Sequence, residues 1–449
     1  MSQVVTKEFI EQVQEYAEQG RLEELRDEIM DFHYADIAEI LEELDDTDVI
    51  IPVLQFFDEE TAADILMELD EDIREEIISQ FSPKQLAEIV IENLDSDDAA
   101  DLVGELTDER KEEVIASIGD IDRAKQIVDL LNYPEDSAGG LMAKELIKVN
   151  KNLTVLSCVR EMRRQAEDIE EVHTIYVVDD HNKLLGTLSL KKLLTHSTKT
   201  RIEDIYNPNV SSVKAGTDAE EVARIMRKYD LVVIPVIDDL GRLLGRITVD
   251  DVMDVMQEEA DRDYQLASGI SESVEFSDTV LVLTRARLPW LIVGMIGGVV
   301  SAQVIGIFDL EKNLELAYFI PLIAAMGGNV GVQSSAIIVQ SLANNSLQMD
   351  SVAKRLGKEF SVGLINGLVL SILIFLAGLA LGLSVMLSLT VCFALFVVII
   401  FAALFGTFVP LALHKYKIDP ALATGPFITT TNDVVGMLIY FTIGTLLLA

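Results

Sequence analysis

TTTNDVVG, Thr429–Gly436, sets an aspartate inside an apolar stretch, with ALATGPFI before it and MLIYFTIGTLLLA after it. A carboxylate at the middle of a bilayer helix costs roughly 2.5–3.5 kcal/mol on insertion scales. Something must offset that cost at Asp433. The sequence offers no intramembrane Lys or Arg to do so, because the nearest bases stand at segment ends. An acid in that position should face a water-filled path and bind a cation or a proton.

Outward from this segment, further apolar runs lie at about 288–308, 314–343, 360–383 and 385–413, with the last at 420–449. Each is long enough to cross a hydrocarbon core of about 30 Å. An odd number of spans puts the two chain ends on opposite sides. Arg285 and Arg287 precede the first span, Lys354, Arg355 and Lys358 separate the second and third, and Lys415 and Lys417 separate the fourth and fifth. The connections DLEKN (309–313) and LGLS (near 381) carry almost no base. Positive charge therefore marks the N-terminal side as cytoplasmic, and the C-terminus is expected outside.

The second span also departs from a lipid-facing helix. It contains AAMGGNVGVQSS, with Gly327, Gly328, Asn329, Gly331, Gln333, Ser334 and Ser335. Small residues let helices approach, and hydroxyls and amides can bond across the contact, which accounts for most of these positions. Gly425 and Pro426 can interrupt helical hydrogen bonding and turn carbonyls toward a path. Carboxylate, carbonyls, hydroxyls and amides together make an all-oxygen environment suited to a hard cation.

The other half of the chain is acidic. Of 75 Asp and Glu, 68 lie in residues 1–280 with 27 Lys and Arg, a formal charge of −41, whereas 281–449 carries about +1. Such a surface excludes nucleic acid and anionic membrane surfaces as partners, favours cations, and also serves solubility. Cys158 and Cys392 form no disulfide framework or thiolate site, in keeping with a reducing cytoplasm. MSQVVTKEFIEQ has no apolar signal core, so the chain is expected to begin in the cytosol. Five scattered histidines, no phosphate-binding loop and no nucleophile–base pairing argue against an enzyme.

Residues 36–106 repeat. DIAEILEEL, TAADILMEL, QLAEIVIENL and DAADLVGEL centre on Ala38, Ala63, Ala87 and Ala100, separated by 25, 24 and 13 residues. Short helices stacked into a superhelical array are expected. After YPEDSAGGLM (133–142), IYVVDDHNKLLGTLSLKKLL (175–194) matches IPVIDDLGRLLGRITVDDVM (234–253) at an offset of 59. This duplicated strand–turn–Gly–strand–helix resembles a pair of CBS domains, many of which bind adenosine nucleotides through a Thr/Ser-x-x-Asp element. The second copy has Thr248 and Asp251, but the first has Ser189 and Lys192. Next, Asp250, Asp254, Glu258 and Asp261 line one face of a helix expected to run through 264–284 toward the first span, with Glu259 and Asp263 beside them. Asp97 and Asp101 form a similar pair. Crowded carboxylates repel until a divalent cation screens them.

The whole order resembles the bacterial MgtE-type magnesium channel family. YPEDSAGGLM, GGNVGVQS and DPALATGPFITTTNDVVG carry the resemblance, which spans the chain. It implies a multidomain membrane protein. An α-helical superhelical N domain (1–135) precedes an α/β CBS-domain pair (136–199 and 200–256), a connecting helix (257–283) and a five-helix transmembrane pore domain (284–449). It further implies a homodimer in the lipid bilayer of the inner membrane, carrying Mg²⁺ into the cytoplasm and binding no nucleic acid. Asp433, with Thr429 and Asn329, would meet a hydrated Mg²⁺ in the pore. Cytoplasmic Mg²⁺ would close it through Asp64, Asp97 and Asp101 on the N domain, Asp218, Asp230, Asp251 and Asp254 on the second CBS domain, and Glu259 and Asp263 on the connecting helix. Mg²⁺ is thus both cargo and regulator, with ATP as a possible modulator. The residues alone also admit a proton- or Na⁺-coupled divalent transporter, a channel for Co²⁺ or Mn²⁺, or a membrane-tethered nucleotide sensor.

Overall fold

The computed structural model describes residues 6–44, 46–166, 169, 172–271, 274, 278–308, 314–343, 352–423 and 425–448. They form two compact units, Met1–Met256 and Gln257–Ala449, and the division falls within the helix Val249–Ala267.

The first unit begins as an array of short helices. The alanine-centred segments become Tyr34–Glu42, Glu59–Glu68, the π-type turn Leu86–Ile91 and Ser96–Glu105. Ala38, Ala63, Ala87 and Ala100 are all buried, so the repeat marks where neighbouring helices approach most closely. Helices such as Thr47–Leu54 and Glu71–Gln80 return between them, which makes the interval of about two dozen residues a helix pair. Local chemistry sets the starts. Asp58 accepts the Thr61 N–H at 2.9 Å, and Ser82 and Gln85 form a reciprocal capping box.

Two three-stranded sheets follow. Strands β1 (Ile147–Asn150), β2 (Ile175–Val178) and β3 (Leu184–Leu188) form one, and β4 (Val213–Lys214), β5 (Val233–Ile237) and β6 (Leu243–Thr248) the other. In each the first pair is parallel and the second antiparallel. The matched aspartates are turn residues: Asp179 accepts N–H groups from His181 and Lys183, and Asp238 from Leu240 and Arg242. The matched glycines admit a crossing backbone. A Cβ at Gly186 would strike the Asn207 carbonyl, and one at Gly245 would lie 2.7 Å from the Ala143 oxygen.

YPEDSAGGLM docks onto the second sheet domain. Ala138 and Gly139 donate backbone N–H groups to Thr217 and Ala215 at 2.7 and 2.8 Å. Ala138 and Met142 join Val213, Ile234, Val236 and Ile247 in one apolar core continuous with that of the helical array. The first sheet domain has its own core around Val149, Cys158, Ile175 and Val177.

Among its described residues the second unit holds five helices long and apolar enough to cross a membrane: Val280–Ile307, Leu314–Leu342, Val352–Ala380, Val385–Lys415 and Pro426–Leu448. The fourth is the most enclosed and packs on the second, third and fifth. Missing side chains permit this: a Cβ at Gly406 would run into the Gly331 carbonyl, and one at Gly297 into Thr430. Tyr440, fully buried, donates its hydroxyl to the Leu316 carbonyl at 2.9 Å.

Two expectations need correction. The helix after the second sheet domain does not run through 264–284. It ends at Ala267, where Gly269 turns the chain with φ +84°, and the next helix starts at Val280. Gly425 and Pro426 do not interrupt the fifth span but begin it. Gly425 sits at φ +54° and Pro426 is the first helical residue, where its missing N–H costs nothing. Gly245→Ala should lower the protein's stability by about 1–3 kcal/mol, since neither the Ala143 carbonyl nor Met142 can retreat from a packed core. Thermal melting of the purified protein measures this.

Candidate functional site

In the membrane unit the second and fifth helices bring the sequence's polar elements together. Gly328 lies against Thr429, and a Cβ placed there would be 3.2 Å from the Thr429 Cγ2 and 4.0 Å from the Asp433 Oδ1. Asp433 is half-buried and Asn329 exposed within the single chain. Among the described residues no base pairs with Asp433. Asp433 and Thr429, one turn apart on the fifth helix, thus both face Gly328, and Asn329 follows Gly328 on the second helix as an exposed residue; a carboxylate in such a setting suits a hard cation that keeps its water.

A second acidic group lies in the first unit, where the helix Ser96–Glu105 meets the second sheet domain. Burial raises the Asp97 carboxyl well above its ordinary range, and Asp98, Asp251, Asp95 and Glu145 push it further. Asp98 is raised to about 7, first by burial and then by Asp251, Asp101, Asp95 and Asp64. Asp101 also reaches about 7 through burial, Glu135, Glu105 and Asp251, against a lowering by Arg74. Asp251 is raised by burial although the Thr248 N–H and hydroxyl bond its carboxylate at 3.0 and 2.6 Å. Burial, then Asp251 and Asp250, raise Asp254, and burial and Asp254 raise Glu68. Asp64, Asp97, Asp101, Asp251 and Asp254 therefore belong to one electrostatic neighbourhood.

Buried anions of like sign call for a cation or a proton. The residues fit a metal: oxygens of Asp95, Asp97 and Glu145 lie within 4.8 Å of one another, and the buried Asp97 Oδ1 has no hydrogen-bond partner among the described residues. Arg123 holds Glu145 at 2.5 Å and Arg246 approaches Asp95 at 3.5 Å, so the Asp97–Asp98–Asp101–Asp251 side has the larger unmet demand.

Asp218 and Asp230 stand at the two ends of the helix Ala219–Tyr229. Asp218 caps its start by accepting the Glu220 N–H at 3.1 Å, and Asp230 ends it in the left-handed region at φ +51°. They are not among the charges acting on the acidic group. In the second unit Asp263 is raised by burial, then by Asp419 and Glu259, and Arg262 approaches Glu259 at 3.5 Å. The end of that helix abuts the start of the fifth span: a Cβ at Gly269 would meet Pro426 at 2.6 Å, and one at Gly425 would meet the Ala267 carbonyl.

Between the two sheet domains a narrow cleft is lined by Glu145, His173, Thr174, Tyr176, Val233 and Arg246. The Tyr176 hydroxyl and Arg246 Nη1 are buried there without partners among the described residues. These are donors that a phosphate or carbonyl could use. The ribose-binding acid is missing from the first copy, where Lys192 instead donates to the Ile205 carbonyl at 2.5 Å.

Residues 320–443 match the family described as MgtE, divalent cation transporter, residues 32–136 the MgtE intracellular N domain, and residues 138–199 and 202–258 the CBS domain. The magnesium transporter MgtE of Bacillus subtilis is 35% identical over 324 residues, 72% of each chain. That of Thermus thermophilus is 38% identical over 331 residues, again 72% of each. The chain belongs to the MgtE family. Among solved structures, the cytosolic domain of the Mg²⁺ channel MgtE in complex with ATP is similar, with 36% identity and a TM-score of 0.50, covering 55% of this chain and 99% of that one. Membership accounts for the order of helical domain, CBS pair and membrane helices.

Sequence reasoning missed Glu68, Asp95, Asp98, Glu145 and Asp419. Asp95 and Asp98 were within reach, because DSDD brackets the candidate Asp97, although Asp95-Ser96 also reads as a turn. Glu145 and Asp419 carry no local signal. Their roles come from chain segments far apart in sequence.

The raised carboxyls fix a sign. In the fold Asp98 and Asp101 hold protons up to about pH 7, whereas unfolded they release them near 3.8. Their contribution to stability is full below the unfolded value and is lost as pH rises through the folded one. With chelator present, the melting temperature should rise as pH falls from 7.5 to 5.5, and millimolar Mg²⁺ at pH 7.5 should have the same effect. Asp97→Asn, Asp98→Asn and Asp101→Asn combined should flatten both responses.

Proposed function

We propose that the protein carries Mg²⁺ into the cytoplasm through a pore at Asp433 and is closed by Mg²⁺ accumulating there. The observation that carries this reading is a carboxylate inside the fifth membrane helix, facing the GGN segment of the second and paired with no base among the described residues. Mg²⁺ dehydrates reluctantly, so a carboxylate with hydroxyl and amide neighbours suits a hydrated ion better than a closed protein cage would. Names of relatives agree with the cargo: the Bacillus and Thermus proteins are magnesium transporters. We place the pore at the interface of a homodimer in the cell's inner membrane, with the acidic half cytoplasmic and the C-terminus outside. The distribution of bases at the ends of the spans supports this orientation.

Closure follows from linkage. A ligand shifts an equilibrium only by binding one state more tightly. Asp97, Asp98, Asp101, Asp251 and Asp254 are crowded and desolvated when the helical array lies on the second CBS domain, so Mg²⁺ stabilises that arrangement. Glu259, Asp263 and Asp419 offer a similar demand beside the start of the fifth span. A cation held there fixes the end of the connecting helix against Pro426. ATP is a modulator by analogy with the related cytosolic domain. Here the Tyr176 and Arg246 donors would take its phosphates, without the ribose contact that an acid at position 192 would give.

Liposomes containing the purified protein provide the test. Mg²⁺ flux should fall as Mg²⁺ rises on the face bearing the soluble half, and Asp433→Ala should reduce flux at least tenfold. Asp97→Asn with Asp251→Asn should leave flux but shift its closure to higher Mg²⁺. Flux that requires a proton or Na⁺ gradient would replace the channel with a coupled transporter.

A further inference from the structure

Asn432 precedes the candidate ion ligand yet points away from it. Its side chain is 1% exposed, and its Nδ2 donates to the Gly327 carbonyl on the second membrane helix at 3.2 Å. The amide occupies the space that a side chain at Gly331 would fill, where Ile428 also packs. Gly331 in turn receives Gly406 of the fourth helix against its carbonyl. The second helix is therefore gripped at Gly327 and Gly331, and Gly328 and Asn329 lie between those two points. The grip is a poor device for stability alone. Asn432 Oδ1 is buried with no partner among the described residues, a loss that can match or exceed the gain of one neutral hydrogen bond. An apolar residue of similar size would incur no such loss.

We infer that Asn432 is a positioning residue for ion selection: its bond to Gly327 sets the distance between Asp433 and the Gly328–Asn329 backbone, and hence which hydrated cation the site accepts. The inference rests on the reading of Asp433 as the ion site. A hydrated ion is discriminated by the room left for its water, so a few tenths of an ångström at Gly328 matter more than the charge behind them. Gly331 is the matching half of the device, because only a residue without Cβ admits the amide.

The full-length protein in liposomes, carrying Mg²⁺ and Ca²⁺ in parallel, tests this. Asn432→Ala should raise the Ca²⁺-to-Mg²⁺ flux ratio about fivefold, roughly what one neutral hydrogen bond is worth. The double variant Gly331→Ala with Asn432→Ala puts a methyl into the space the amide leaves, with Ile428 turning aside to admit it. It should recover part of the melting temperature lost in Asn432→Ala but keep the altered ratio, a split that a purely structural role would not produce. A wild-type ratio in Asn432→Ala, or in the double variant should the single one fail to fold, overturns the inference. So does recovery of the ratio by packing alone. Asp433→Asn is measured alongside. If it conducts as wild type, the ion-site reading has failed; if it is inactive while the Asn432 variants keep the wild-type ratio, only the positioning role has.

Discussion

A carboxylate taken out of water without enough positive charge beside it is expensive, because neither solvent nor a full counter-charge screens it. Among the described residues the membrane unit and the helical-array junction both do so. In the membrane unit Asp433 sits between helices that carry no intramembrane base. In the soluble unit Asp97, Asp98, Asp101 and Asp251 share a buried junction in which Arg74 is the main opposing charge on Asp101 and Arg246 that on Asp251. Both places demand more positive charge than the neighbouring side chains supply. Under the proposed function a transported and sensed cation would meet that need in each, giving one chemistry to two units of unlike fold.

The rest of the architecture places those acids. The YPEDSAGGLM segment runs the helical array's core into that of the second CBS domain, which brings the start of Ser96–Glu105 to Asp251. Apolar burial there holds like charges together against their repulsion. The ion pairs Arg123–Glu145 and Lys144–Asp129 lie on the flank of the same junction, so its rim is neutral while its centre is not. The apolar part of the junction therefore fits independently of the charges at its centre.

In the membrane unit the controlling features are places where side chains are missing. Gly406 lets the fourth helix reach the backbone of the second at Gly331, and Gly297, Gly328 and Gly331 let the first and second helices receive side chains of the fifth. Gly269 and Gly425 adopt left-handed conformations where the connecting helix meets the fifth span, so the helix end and Pro426 touch directly. The helix end and the start of the fifth span thus meet through backbone and the Pro426 ring rather than through flexible side chains. The stop at Ala267 makes this possible, because a helix continuous through 264–284 would have had no corner to place against Gly425.

Much of this was legible in the sequence. Hydropathy and the placing of bases gave the five spans, since a bilayer imposes length and charge rules on each segment separately. The alanine interval announced the helical array, and the offset of 59 announced the CBS pair, because duplicated chain folds alike. Asp433 stood out through its setting alone. What required the tertiary structure was every property that depends on two distant segments meeting. Asp98 and Glu145 matter because Ser96–Glu105 packs where β1 begins, and Asp419 because the turn before the fifth span returns to Asp263. Asn432 reads as one more polar residue until Gly327 appears 3.2 Å away. Local sequence determines which elements form and which faces are apolar; the desolvation of a charge, and the groups left to compensate it, are fixed only when the elements close around it.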